Sequence, residues 1–574
     1  MPVPLPSEPL RRLIAVARGE LPADLLLKNA RLINTHAGEY HDTDIALFGG
    51  RVAGLGSYRA RRTIDLKGRF VCPGFIDAHL HLESSMVTPP QFARAVVPRG
   101  TTAVVTDPHE IANVLGVAGI RYLLDVSENL PLRVFVMAPS CVPATALETS
   151  GAAIGPDEIA LLLEHPRVLG LAEVMNYPGV LSGDEEVLAK LLTVGDRPID
   201  GHAPGLAGKD LNAYVAAGIG TDHESTTLEE AREKLRLGMR ILIRQGTAER
   251  NLKDLLPLVT PENTDAFCFC TDDRHPQDLQ DEGHLDALVR MAIGQGMDPL
   301  SAIRLATLNP ARHYRLSGLG LVAPGYRADL IVFDDLEDLQ VRQVFSSGQL
   351  VAEDGAFLPS LPPQPKAPGR ELAVRWEKVD FRIPTEGKRR ARVIEVVPGQ
   401  IVTGRSLAEV RVAQGAALAD PEQDLLKIAV IERHRATGNM AVGFVRGFGI
   451  PRGALASTVA HDSHNLVVVG ASDAEMLAAA REVARLGGGM ALVAGERVRA
   501  ALPLPIAGLI SPQPLEEVRR QFSRMLGEYR DLGGVLDDPF MHLSFLALPV
   551  IPALKITDRG LVDVEAFDFV PVMA

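Results

Sequence analysis

Eight short apolar runs recur between residues 70 and 273, most of them separated by stretches of helix length: FVCPGFIDAH, TTAVVTD, LRVFVMA, VLGLAEV, RPIDGHA, GIGTDH, RILIRQG and AFCFCTD. Continuous apolar runs suit strands buried on both faces, which is the condition of parallel strands in a closed barrel. The rhythm predicts an α/β chain whose centre, about 75–315, is a (β/α)8 TIM-like barrel. Polar residues fall where these runs end, and barrel enzymes carry their chemistry at the C-terminal ends of their strands.

On either side the pattern changes. Residues 25–74 and 316–357 are short β-rich runs broken by Gly, Asp and Asn, and they read as two halves of a split β-sandwich closed around the barrel. A helical extension over 1–24 precedes them, and a Pro-rich linker, 358–369, follows. From 370 to 574 apolar strands such as HNLVVVGAS alternate with amphipathic helices such as PLEEVRRQFSRMLGEY, predicting an additional C-terminal α/β domain. The GGG at Gly487–Gly489 lies between a helix and a strand and reads as a capping turn rather than a phosphate loop.

Composition narrows the functional classes. A net charge of -13 opposes a nucleic-acid partner and favours a small-molecule substrate. No apolar run approaches the roughly 18–20 residues of a membrane span, and the N-terminus lacks the pattern of an export signal, so no membrane partner and a cytoplasmic location are expected. A homo-oligomer is compatible with the sequence. The four cysteines, Cys72, Cys141, Cys268 and Cys270, are too few and too scattered for a disulfide framework and read as reduced, packed thiols.

The first run ends in Asp77-Ala78-His79-Leu80-His81. Side chains two apart on a strand share a side, so both imidazoles can reach one ion at roughly 2.0–2.2 Å. The fourth run is apolar until it delivers Glu173, a carboxylate that burial would penalise unless a cation met it. The fifth and sixth end in His202 and His223, and the eighth in Asp272. An isolated HxH carries little weight, whereas four histidines, a glutamate and an aspartate at the mouths of five strands are hard to assemble by chance. From these side chains alone the metal is a first-row divalent ion suited to nitrogen and oxygen.

The string PGFIDAHLH, the carboxylate on the fourth strand, the single histidines on the fifth and sixth, and the terminal aspartate resemble the amidohydrolase superfamily of metal-dependent hydrolases over residues 25–355. Longer strings, HLHLESSMVTPPQFARAVVPRGTTAVVTDPHEIANVLG, GLAEVMNYPGV, DGHAPGL, CTDDRHP, HRATGNMAVGF and AHDSHN, extend the resemblance over essentially the whole chain to the adenine deaminase family. That resemblance implies two divalent ions, Mn(II) or Fe(II) with Zn(II) as the alternative. His79, His81 and Asp272 would hold one, His202 and His223 the other, and Glu173 would bridge them, where many relatives carry a carboxylated lysine. It further implies hydrolysis of adenine to hypoxanthine and ammonia in purine salvage. A bridging hydroxide would attack C6, with Asp272 as the catalytic group that accepts and relays its proton.

Other residues surround that centre. In Thr106-Asp107-Pro108-His109-Glu110, His109 and Glu110 are candidates for proton delivery to a ring nitrogen or for fixing the purine edge, the bland alternative being a helix cap. Glu83, Ser84 and Ser85 follow the HxH and line the mouth, or form an ordinary capped loop. Arg244 ends the seventh strand, to steer substrate or to pair with a neighbouring strand, and His275 either orients substrate or has no role. In the last domain His461, Asp462 and His464 place three potential ligands or proton carriers within four residues; a third metal site would need at least one more ligand, and a turn with solvated histidines is the favoured reading. Phe540, Met541 and His542 sit in an apolar setting able to cover a site, with core packing favoured for most of them. Two other functions fit the same barrel: a cyclic amidase such as a hydantoinase and, remotely, a non-catalytic purine-binding protein.

Overall fold

The computed structural model describes residues 5–369 and 372–574. Eight parallel strands follow one another around a TIM-barrel-like α/β core: Phe75–Leu80, Thr101–Thr106, Arg133–Ala138, Val168–Val174, Ile199–Gly201, Thr221–Asp222, Arg240–Arg244 and Phe267–Cys270. The first five form one sheet in sequence order and the last three another. The Gly220 amide donates to Ile199 O at 3.0 Å across one gap, and the Asp272 amide donates to His79 O at 3.1 Å across the other. Every residue of the first, second and eighth strands is buried, so period-2 alternation is absent, as for strands covered on both faces.

Residues 23–73 and 330–357 contribute to a single nine-stranded sheet beside the barrel. The join is made by Phe70–Pro73, which runs parallel to Ala23–Asn34 and antiparallel to Leu330–Phe333, with Ile331 opposite Cys72. The helix Ser7–Ala17 lays Leu13 and Val16 against this unit. Residues 358–369 form neither helix nor strand. All four cysteines are free and buried.

The C-terminal segment centres on an eight-stranded sheet with a helix packed on each face. In the strand Leu466–Gly470, Leu466 and Val468 meet Met476, Ala479 and Val483 of the helix Asp473–Arg485. Val467 and Val469 belong to the opposite core, with Val518, Phe522 and Met525 of Leu515–Asp531. Gly489 stands where a Cβ would lie 2.0 Å from Leu502 O, with φ at +119°, so the glycine run is required by chain reversal after the first of these helices.

This segment docks on the open end of the barrel. Ile506, Leu509 and Ile510 pack with Ile111, Val114, Tyr122 and Leu123, and the core around Phe522 and Phe540 is continuous with Met86, Val87 and Phe92 of the barrel. No helix among the described residues is long and apolar enough to cross a membrane.

Candidate metal centre

Glu173 is the hub. It lies at the penultimate position of the fourth strand and is 3% exposed. Its Oε2 is 2.8 Å from His202 Nδ1 and 3.1 Å from His223 Nε2, while Oε1 is 3.5 Å from His81 Nε2. One carboxylate thus addresses two separate groups of imidazoles. Burial pushes its pKa up, but His202 and His223 outweigh that and hold it well below the usual carboxylate range.

His79 belongs to the first strand. His81 lies one residue beyond it, still extended at φ −101° and ψ 104°, which keeps the two rings on one side. Asp272 Oδ1 stands 3.5 Å from His79 Nε2 and 3.3 Å from His81 Nε2. Asp107 O lies 3.0 Å from His81 Nδ1, so that nitrogen is occupied and Nε2 turns toward the carboxylates. The His79 ring stacks on His223 at 4.2 Å, bringing the two histidine groups into contact.

Asp272 has φ at +56°, a strained position for a residue with a Cβ. It is held there by its amide bond to His79 O and by Arg244, whose Nη1 donates to Oδ2 at 2.8 Å. Arg244 also grips Glu224 with Nη1 and, at 2.9 Å, with Nη2. Its guanidinium therefore acts inside the ring of acids.

The donor set fits divalent ions. His79 Nε2 and His223 Nδ1 are buried with no hydrogen-bond partner among the described residues, an arrangement that is costly unless something absent from the protein satisfies it. His79, His81 and Asp272 present ligand atoms within 4.8 Å of one another, as do His79, Glu173 and His223. A third group, His202, His223 and Glu224, includes a carboxylate that the sequence reading passed over. The only signal for Glu224 is its place directly after His223.

A small cavity lies between this cluster and the C-terminal segment. Glu83, Ser84 and His275 line it from the barrel, and Met490, Phe540 and Met541 from the other side. His109 connects cavity and cluster, with Nδ1 3.5 Å from Glu173 Oε1 and Nε2 3.3 Å from Glu110 Oε1. Glu83 Oε1 accepts from the Ile111 amide at 3.0 Å, and Oε2 has no hydrogen-bond partner among the described residues. Ser84 donates to Asp273, and His275 Nδ1 is 3.5 Å from Asp538 Oδ2.

Two expectations are corrected here. His461, Asp462 and His464 are not solvated: they are 7%, 3% and 1% exposed. His461 Nδ1 meets Glu110 Oε1 at 2.5 Å, and His464 Nε2 meets Glu110 Oε2. The loop looks polar in sequence because its partners lie 350 residues away on the barrel. His542, unlike its neighbours Phe540 and Met541, turns from the cavity and accepts from the Gly399 amide at 3.2 Å. The capping alternative at the second strand is half realised. Asp107 Oδ1 accepts from the His109 amide at 3.1 Å, whereas the Glu110 carboxylate faces the two imidazoles instead of reaching back. Burial raises the Glu110 pKa, but His461, His464 and His109 more than reverse this and hold it ionised.

Comparison with known proteins identifies the family. The family described as "Amidohydrolase family" matches residues 70–351, and "Adenine deaminase C-terminal domain" matches 400–568. The chain is 54% identical to an adenine deaminase of Desulfatibacillum aliphaticivorans over 97% of this chain and 99% of that one. It is 50% identical to adenine deaminase 2 of Carboxydothermus hydrogenoformans over 98% and 100%, and 51% identical to an adenine deaminase of Methanothrix thermoacetophila over 98% and 99%.

Proposed function

The chain belongs to the adenine deaminase family of amidohydrolases, and from that premise we propose that Glu173 and the histidines around it form the centre at which adenine is hydrolysed to hypoxanthine and ammonia. The observation that carries this assignment is the division of Glu173 between two histidine groups, Oε1 toward His81 and Oε2 toward His202 and His223. His79, His81 and Asp272 would hold one ion, His202 and His223 the second, and Glu173 would join them. When bound, the ions lower the pKa of water toward neutrality and so supply the nucleophile that replaces the 6-amino group.

The side chains do the rest. Asp272, ionised and fixed by Arg244, is the group placed to accept a proton and return it to the leaving amine. The cavity's Met490, Phe540 and Met541 offer the purine faces an apolar enclosure. Glu83, with its free Oε2, and His275 meet the ring edge, and Ser84 steadies Asp273 beside them. Arg244 contributes by orienting Asp272. His109 and Glu110 belong to the face that must assist a ring nitrogen, Glu110 as a carboxylate and not as an acid.

Mn(II) or Fe(II) as the working metals, a role in purine salvage, a cytoplasmic location, and adenine as partner in place of nucleic acid or membrane complete the reading. So does its finer architecture, a sandwich split over 25–74 and 316–357 around a barrel at 75–315, with a separate α/β domain from 370. The decisive assay is ammonia release from adenine by protein loaded with Mn(II) or Fe(II), beside Glu173→Gln. Activity that survives the substitution would remove the bridging role. Inertness toward adenine with hydrolysis of a hydantoin would replace the substrate.

A further inference from the structure

We propose that the seam between barrel and C-terminal segment holds a further divalent ion, ligated by His109, Glu110 and Asp462. None of the six ligands assigned to the binuclear centre belongs to this set. One ligand atom from each of the three residues lies within 4.8 Å of the others, and all three are buried. His109 Nε2 and Glu110 Oε1 are 3.3 Å apart, close to the edge of about 3.4 Å that a tetrahedron of ligands at roughly 2.1 Å from a metal requires.

The ring of His109 is prepared for this. Asp107 Oδ2 lies 3.0 Å from Nδ1, the carboxylate–imidazole pairing that fixes a ligating histidine with its other nitrogen free. Asp462 gives an independent sign. It is 3% exposed, and its Oδ2 has no hydrogen-bond partner among the described residues. A buried carboxylate oxygen without a donor is expensive, and a cation removes that cost. His461 and His464 approach Glu110 from the side of the C-terminal segment and hold its plane, and each carboxylate oxygen keeps a lone pair for a metal. A mixed nitrogen and carboxylate set of three, with positions open to water, selects a first-row divalent ion.

Because Glu110 lines the cavity, a cation here would face the purine ring and draw electrons from a ring nitrogen, as a protonated acid would. That role rests on the reading of the cavity as the adenine site; the presence of the ion does not. The ligands come from both segments, so the ion would also fasten them together.

The test is a metal count on full-length protein expressed with Mn(II), together with anomalous diffraction at the manganese edge. The expected result is three ions per chain in the wild type and two in Asp462→Asn, with an anomalous peak between His109, Glu110 and Asp462. Two ions in both proteins, or a map with peaks at the binuclear centre alone, overturns the proposal. Should Asp462→Asn fail to fold, the wild-type map decides by itself. Ammonia assays on the same samples separate the two readings: three ions without turnover of adenine defeats the substrate assignment only, and turnover with two ions defeats the further site only.

Discussion

Arg244 Nη1 lies 2.8 Å from Asp272 Oδ2, while the other oxygen of that carboxylate faces His79 and His81. The arginine thereby decides which oxygen of Asp272 is free to meet an ion. Its second grip, on Glu224, uses the planar fork that lysine lacks. Arg244→Met and Arg244→Lys are both expected to lower kcat by about 100-fold, the order lost when a preorganised charged contact is removed. Two ions should still bind at the Glu173 centre. Steady-state kinetics with metal analysis checks this, and a lysine variant with near-normal kcat would show that charge alone suffices.

Metal removal should be visible without any assay of activity. Ligands that bind only the folded state stabilise it by about 4 kcal/mol at a thousandfold excess over Kd. Chelated protein is therefore expected to melt several degrees lower, and Mn(II) to restore the loss. Identical melting curves would mean that the histidines gathered around Glu173 are not metal ligands.

Met541 is expected to separate binding from chemistry. It lines the cavity from the C-terminal segment and is 8% exposed. Truncation to alanine removes apolar contact worth about 1–2 kcal/mol, so KM for adenine should rise roughly tenfold with kcat little altered. An equal fall in kcat would place the side chain at the reacting atoms instead.

Lys555 makes stability depend on pH. Burial pushes its pKa down to about 7, and Nζ donates to Ile401 O at 2.8 Å and to Phe545 O at 3.0 Å. The unfolded chain binds this proton up to the ordinary lysine range and the folded chain does not, so the group's contribution to stability rises with pH above about 7 and is flat below it. Over pH 7 to 9 that is on the order of 2 kcal/mol. The Tm of the wild type minus that of Lys555→Met should increase by several degrees across this range, and a constant difference would show that Lys555 titrates normally.

The barrel and the side chains gathered around Glu173 were legible because each signal was local. An apolar run ending in a single charged or imidazole side chain states both that a strand is buried and which end carries chemistry, as at Glu173 and His223. What escaped was non-local. His461 and His464 read as polar turn residues because nothing near them in sequence reveals that Glu110 awaits them. Glu224 was overshadowed by the histidine beside it, and the role of Arg244 depended on the backbone of Asp272, whose left-handed conformation no motif announces.

The division of the cavity between distant parts of the chain has a consequence for synthesis. A nascent chain that has emerged as far as residue 369 contains all six residues proposed as ligands of a binuclear centre, yet only one wall of the cavity beside them. His461, His464, Met490, Phe540 and Met541 leave the ribosome later. On the proposed assignment the chamber is therefore complete only once the last third of the chain has folded onto the barrel.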